Sequence, residues 1–140
     1  MILTTADRDE LVGLLERRRF PFRGSRARSR IVSTLRAARV VTPDEISGTI
    51  VRMYAGVRII ELESGASATY TVVLPIDANI ALRRISVLSR LGAALIGRSV
   101  GDVVTVEAVV GCRRYYVHEI LTPIGAEEDG RALAIDRARE

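Results

Sequence analysis

With 140 residues, 48% of them hydrophobic, the chain can bury one sizeable core unaided, and a single cysteine, Cys112, excludes an internal disulfide or a thiolate zinc site. All 21 basic residues are arginine against 17 acids, a net charge of +4 that suits an acidic partner. No apolar run approaches the roughly 20 residues of a membrane helix, and the opening MILTTADRDE lacks the basic-then-apolar order of a secretion signal, so a cytoplasmic protein without a membrane partner is expected.

Residues 1–20 read as a helix entered at Thr4 or Thr5, whose hydroxyls can cap free N–H groups, with Asp7, Asp9 and Glu10 at the positive end of the dipole. Leu11, Leu14 and Leu15 form its apolar stripe. The run Phe20-Pro21-Phe22-Arg23-Gly24 breaks it. Ser25 can cap a second helix to about Arg39, with Ile31, Leu35 and Ala38 at helical spacing. So short a break favours an antiparallel helical hairpin. Nine arginines and no acid lie between Arg17 and Arg39, and Arg23, Arg26, Arg28 and Arg30 form a basic cluster at the expected tip.

Val40 to Ile46 is a connector, and beyond it the period becomes alternating. Strands are expected at Thr49–Met53, Val57–Leu62 and Ala68–Leu74, separated by turn residues. Ile76–Arg84 reads as an exposed loop. The stretch ISVLSRLGAALIGRSVGD, residues 85–102, reads as strand, short helix and turn. Strands at Val103–Ala108 and Arg113–Leu121 complete the order, and the tail from 123 reads as disordered or a frayed helix. Helices segregated from strands indicate an α+β protein: a mostly antiparallel sheet with one short helix on its face.

Catalytic groups are sparse. His118 is the lone histidine, within an alternating strand that puts Tyr116, His118 and Ile120 on one face and Tyr115, Val117 and Glu119 on the other; no nucleophile motif accompanies it. The acidic pairs Asp44-Glu45, Glu61 with Glu63, and the Glu127–Asp129 run lack a phosphate loop. Gly92–Gly97 lacks the Lys and Ser/Thr that such a loop uses. No catalytic residue, metal site or cofactor is expected, and the chain does not read as an enzyme.

The segments at 85–108 (ISVLSRLGAALIGRSVGDVVTVEA) and 113–121 (RRYYVHEIL), supported by residues 41–65 and the opening LTTADRDELVGLL, resemble the Gre-type transcription elongation factor family. Within it they are most similar to the shorter regulator of nucleoside diphosphate kinase (Rnk) branch. The resemblance implies a coiled-coil-like hairpin over 1–42, an FKBP-like domain over 43–122 and a tail over 123–140. It also implies binding to bacterial RNA polymerase at its secondary channel. Full-length Gre factors carry an acidic pair at the hairpin tip that helps hold a catalytic magnesium; here the tip is basic, so no stimulation of transcript cleavage is expected. The first helix, at about 1.5 Å per residue over 3–19, would be only about 25 Å long.

Relatives carry Asp-Ser-Pro or Ala-Pro after the Ile-Ser-x triplet, at the edge facing the polymerase. Leu88, Ser89, Arg90 and Leu91 occupy that bend here, with only Ser89 matching, and are the expected docking residues. An alternative reading is a module binding nascent RNA, DNA or nucleotide phosphates through the arginine hairpin. A peptidyl-prolyl isomerase is suggested by the fold alone, but six aromatics with no Trp equip it poorly.

Overall fold

The structure, a computed structural model, describes residues 1–16, 25–42, 48–108 and 110–121. Strand β1 (Ile2–Thr4) runs directly into helix α1 (Thr5–Glu16), and helix α2 (Ser25–Ala37) leads to strand β2 (Arg39–Val41). The Thr4 hydroxyl accepts the Asp7 N–H at 3.0 Å, occupying one donor that a helix start leaves open. α1 packs against α2. Arg17–Arg19 and the Phe20–Gly24 break lie outside the described residues, as do Pro43 to Ser47 and the tail from 122.

The second helix ends short of Arg39, and Arg39–Val41, read from sequence as helix end and connector, pairs in parallel with β1 instead. Three residues are too few to display a strand period, and the partner lies beyond both helices.

The main sheet has the order β5-β4-β3-β7-β6, from β3 (Gly56–Glu61), β4 (Ser67–Val73), β5 (Arg84–Ser86), β6 (Val103–Glu107) and β7 (Cys112–Leu121), with helix α3 (Arg90–Leu95) between β5 and β6 in the chain. Its pairings are antiparallel except β4 with β5. Two 3-10 turns, Pro75–Asp77 and Ile80–Leu82, carry the chain between those parallel neighbours. The α+β class stands: a mixed fold with an antiparallel-rich sheet and few helices.

Two expectations are corrected. Thr49–Met53 is not a strand: Ile50 makes one isolated bridge, to Ser99. Its neighbours spend their hydrogen bonds on the same short segment, Val51 N–H to Arg98 O at 2.8 Å and Gly97 N–H to Val51 O at 3.0 Å. Gly97 and Gly101 then turn that partner away at positive φ, so no ladder can extend.

The alternation of the last strand also fails midway. The β3–β7 register steps from Ile59↔Val117 to Arg58↔Glu119, leaving His118 as the extra residue of a bulge. Side-chain parity flips there. Val117 is buried and Ile120 packs on the same core, whereas simple alternation puts them on opposite faces.

One core joins helices and sheet. Leu3, Leu11, Leu14 and Ile31 from the N-terminal segment cluster with Val51, Val57, Ile59, Val72, Val87, Leu95, Ile96 and Val117. The backbone stitches the same seam, with Ile2 N–H donating to Gly97 O at 2.9 Å. A Cβ on Gly97, at φ +82°, would stand 2.7 Å from Met1 Cγ, so only glycine admits the N-terminal strand there.

Asp7 crosses the seam. It is 6% exposed, and its Oδ2 accepts the Met53 N–H at 3.1 Å. Burial raises its carboxyl above the usual value of 3.8, opposed by the Met53 N–H and by Arg52. A raised carboxyl favours the folded state fully below 3.8, and that contribution is lost as pH rises through the folded value. Asp7→Asn, which keeps an acceptor without the charge, should therefore gain stability relative to the parent as pH rises from about 3 towards 7. Asp7→Ala strands the Met53 N–H and should cost about 1–3 kcal/mol. Denaturant melts at several pH values read both; a pH-independent difference between Asn and parent would contradict the assignment.

Candidate functional site

The expected docking residues form a tight bend between β5 and α3. Ser89 is fully committed to building it: its hydroxyl accepts the Gly92 N–H at 3.0 Å and donates to Ser86 O at 2.6 Å. Ser86 Oγ in turn accepts the Leu88 N–H at 3.0 Å. Leu88 and Leu91 are partly buried and pack on the core. Arg90 is the exposed member of the four, and its Nη1 donates to Glu107 O at 3.2 Å.

The basic cluster divides. Arg23 lies outside the described residues. Arg28 is exposed and its Nη1 donates to Leu15 O at 3.4 Å, bringing the end of α1 against the start of α2. Arg30 reaches across to the bend between β5 and α3, where its Nη2 donates to Leu88 O at 2.7 Å. Two features picked out separately in the sequence, 58 residues apart, are thus physically joined.

Between α2, α3 and β6 they enclose a cleft of about 650 Å³. Helical spacing aims Arg26, Ser29, Arg30 and Ser33 into it from one face of α2, and Arg90, Arg98 and Glu107 close the other side. Among the described residues four guanidinium groups meet one carboxylate there. Arg30 Nε is buried and has no hydrogen-bond partner among the described residues. Arg98 holds its place by donating Nε–H to Ala94 O at 3.2 Å. Sequence reasoning misses Arg98 and Glu107, since nothing local marks either as facing α2; the available signal is that Arg98 follows a glycine that ends a short helix.

The other candidates have local roles. Glu61 accepts from Ser64 and Arg113, and Glu63 from Arg114; the Ser64 hydroxyl then Arg113, and Arg114, hold these carboxyls below their usual values. These acids pair with arginines across strand ends and are not arranged as an acid–base couple. His118 is exposed on the bulge beside Tyr116, with ring centroids 6.3 Å apart. Among the described residues no group of three or more His, Cys, Asp or Glu could hold a metal, and no helix is long and apolar enough to cross a membrane.

The loop after β4 shows a feature that sequence reasoning passes over. Ile76 and Ile80 are 77% and 74% exposed, on a loop held in shape by Tyr54. That tyrosine, at φ +65°, donates its OH to Asp77 Oδ2 at 2.5 Å and accepts the Leu74 N–H at 3.3 Å. Burial, then the Asp77 carboxylate, pushes its phenol up to about 12, so it remains a donor at neutral pH.

Comparison with known proteins adds relatives to this geometry. Residues 42–122 match the family described as Transcription elongation factor, GreA/GreB, C-term. The chain is 42% identical over 81 residues to transcription elongation factor GreA of Acidiphilium cryptum, across 58% of this chain and 52% of that protein. It is 39% identical over 80 residues to GreA of Rhodospirillum rubrum, across 57% and 51%. The chain thus spans about half the length of the curated relatives it matches. A solved prokaryotic transcription elongation factor GreA/GreB from Nitrosomonas europaea is similar at 30% identity and a TM-score of 0.70, over 86% of this chain and 97% of that one.

Proposed function

The chain belongs to the GreA/GreB family of transcription elongation factors, and from that membership we propose a non-catalytic regulator that binds bacterial RNA polymerase near its secondary channel in the cytoplasm. The sheet domain over 43–122, FKBP-like in this reading, supplies the docking surface through the Leu88–Leu91 bend. Residues 1–42 supply the short helical arm, as in the Rnk branch. Docking depends on Arg90, the exposed residue where relatives carry proline, with Leu88 and Leu91 shaping the surface around it.

One observation supports the non-catalytic half of this reading. Between Arg17 and Arg39 the sequence has nine arginines and no carboxylate. A hard divalent cation takes charged oxygen ligands, and this arginine-rich stretch repels it. Reach points the same way: α1, with 12 described residues, spans about 18 Å at 1.5 Å per residue.

The test is competition for purified core RNA polymerase against a full-length GreA. Displacement of GreA is expected, with no shortening of transcripts in stalled complexes. Arg90→Glu should weaken the polymerase interaction about tenfold, or ~1.4 kcal/mol, without changing the melting temperature. Failure to compete would sink the reading, and stimulated cleavage would sink its non-catalytic half.

A further inference from the structure

The cleft between α2, α3 and β6 has a composition that polymerase docking does not require. Among the described residues its walls carry Arg26, Arg30, Arg90 and Arg98 against Glu107, a formal surplus of three positive charges (4 − 1 = 3). Like charges gathered round one concavity repel, and the arrangement becomes favourable when an anion fills it. Guanidinium forks match phosphate oxygens in pairs, and Ser29 and Ser33 add hydroxyl donors on the same wall.

The Arg30 guanidinium on the cleft wall is only partly satisfied. Its Nη2 is satisfied by Leu88 O at 2.7 Å, yet its Nε–H is buried without a partner among the described residues. A buried donor left open is costly, so the guanidinium gains by any shift that brings its Nε–H to an acceptor, a phosphate oxygen in the cleft included. The volume, about 650 Å³, falls in the range of small-molecule sites, roughly 300–1,000 Å³. Among the described residues no aromatic side chain lines the walls, so no aromatic ring there selects a base by stacking. Recognition would rest on phosphates.

We propose that this cleft is a binding site for a small ligand bearing two or three linked phosphates, held by Arg26, Arg30, Arg90 and Arg98. Phosphate binding here does not presuppose polymerase binding, and either can fail alone. Its position nonetheless gives it a handle on the docking bend. A phosphate that recruits Arg30 competes with Leu88 O for the same guanidinium, and Arg90 belongs to both surfaces.

Calorimetric titration of the full chain with inorganic triphosphate, a nucleoside triphosphate and a single-stranded oligonucleotide of about 12 nucleotides, at about 0.15 M salt where distant charges are screened, tests the site. The two triphosphates should bind with similar affinity, tighter than about 1 mM, because the base is not read. Arg26→Glu should weaken both at least tenfold; it places an acid in the first turn of α2, where the dipole favours it, so the variant should fold. Arg98→Ala should do the same by a change on the opposite wall. Arg36→Glu, an exposed change of equal charge on α2 outside the cleft, should leave binding intact. Absence of triphosphate binding overturns the proposal. Equal weakening by Arg36→Glu does so too, by showing diffuse attraction, and an oligonucleotide bound tenfold tighter than triphosphate assigns the face to nucleic acid instead.

Discussion

Gly92→Ala is expected to destabilise the protein by about 3 kcal/mol or more, at the upper end of overpacking changes. A Cβ there would stand 2.2 Å from Ser86 O and 3.0 Å from both Ser86 C and Ser89 Oγ. That carbonyl cannot step aside, because it already accepts the Ser89 N–H at 2.9 Å and the Ser89 hydroxyl at 2.6 Å. To relieve the contact, α3 must withdraw from the end of β5 and lose its Ser89 cap. The Leu88–Leu91 bend moves with it, so under the docking role proposed for that bend polymerase binding should fall along with stability. Gly13→Ala provides the control of opposite sign. Its Cβ would meet nothing within 4 Å in the interior of α1, where alanine should stabilise by roughly 0.5–1 kcal/mol. Thermal melts of the two variants should bracket the parent; a parent-like melt for Gly92→Ala would refute the close approach of α3 to β5.

Leu11→Ala should cost about 2–5 kcal/mol and lower the melting temperature by roughly 10 °C. Leu11 is fully buried, in the cluster that also holds Val51, Met53, Val57 and Ile59. Because that core is continuous from α1 into the sheet, the loss should appear as one cooperative transition displaced downward, with helix and sheet signals moving together. A variant whose sheet signal melts as the parent does, while its helical signal is lost early, would show that the N-terminal helices and the sheet unfold separately.

Much of the architecture is legible in the order and spacing of the residues. The 3.6-residue spacing of Leu11, Leu14 and Ile31, Leu35 marks two helices, and alternation and turn residues mark β3, β4, β6 and β7 within a residue or two. The misses share a cause. β1 with β2, the Ile50 bridge and the β4–β5 parallel pair are stretches of three residues or fewer whose hydrogen bonds go to distant partners, and no local period records that. The His118 bulge is likewise invisible, since it exists only in the register against β3.

The same division applies to function. Composition alone determined that residues 17–39 are arginine-rich without a carboxylate and that no disulfide can form within the chain, because these follow from which residues exist. Only the tertiary structure decided which arginines work together. Arg26 and Arg30 on α2 meet Arg90 and Arg98 because one hydrophobic core holds α2 against α3. The same packing lays Arg30 on the carbonyl of Leu88. Charge is a property of the chain, but its focusing into a cleft depends on burial and distance, and those are set by the fold.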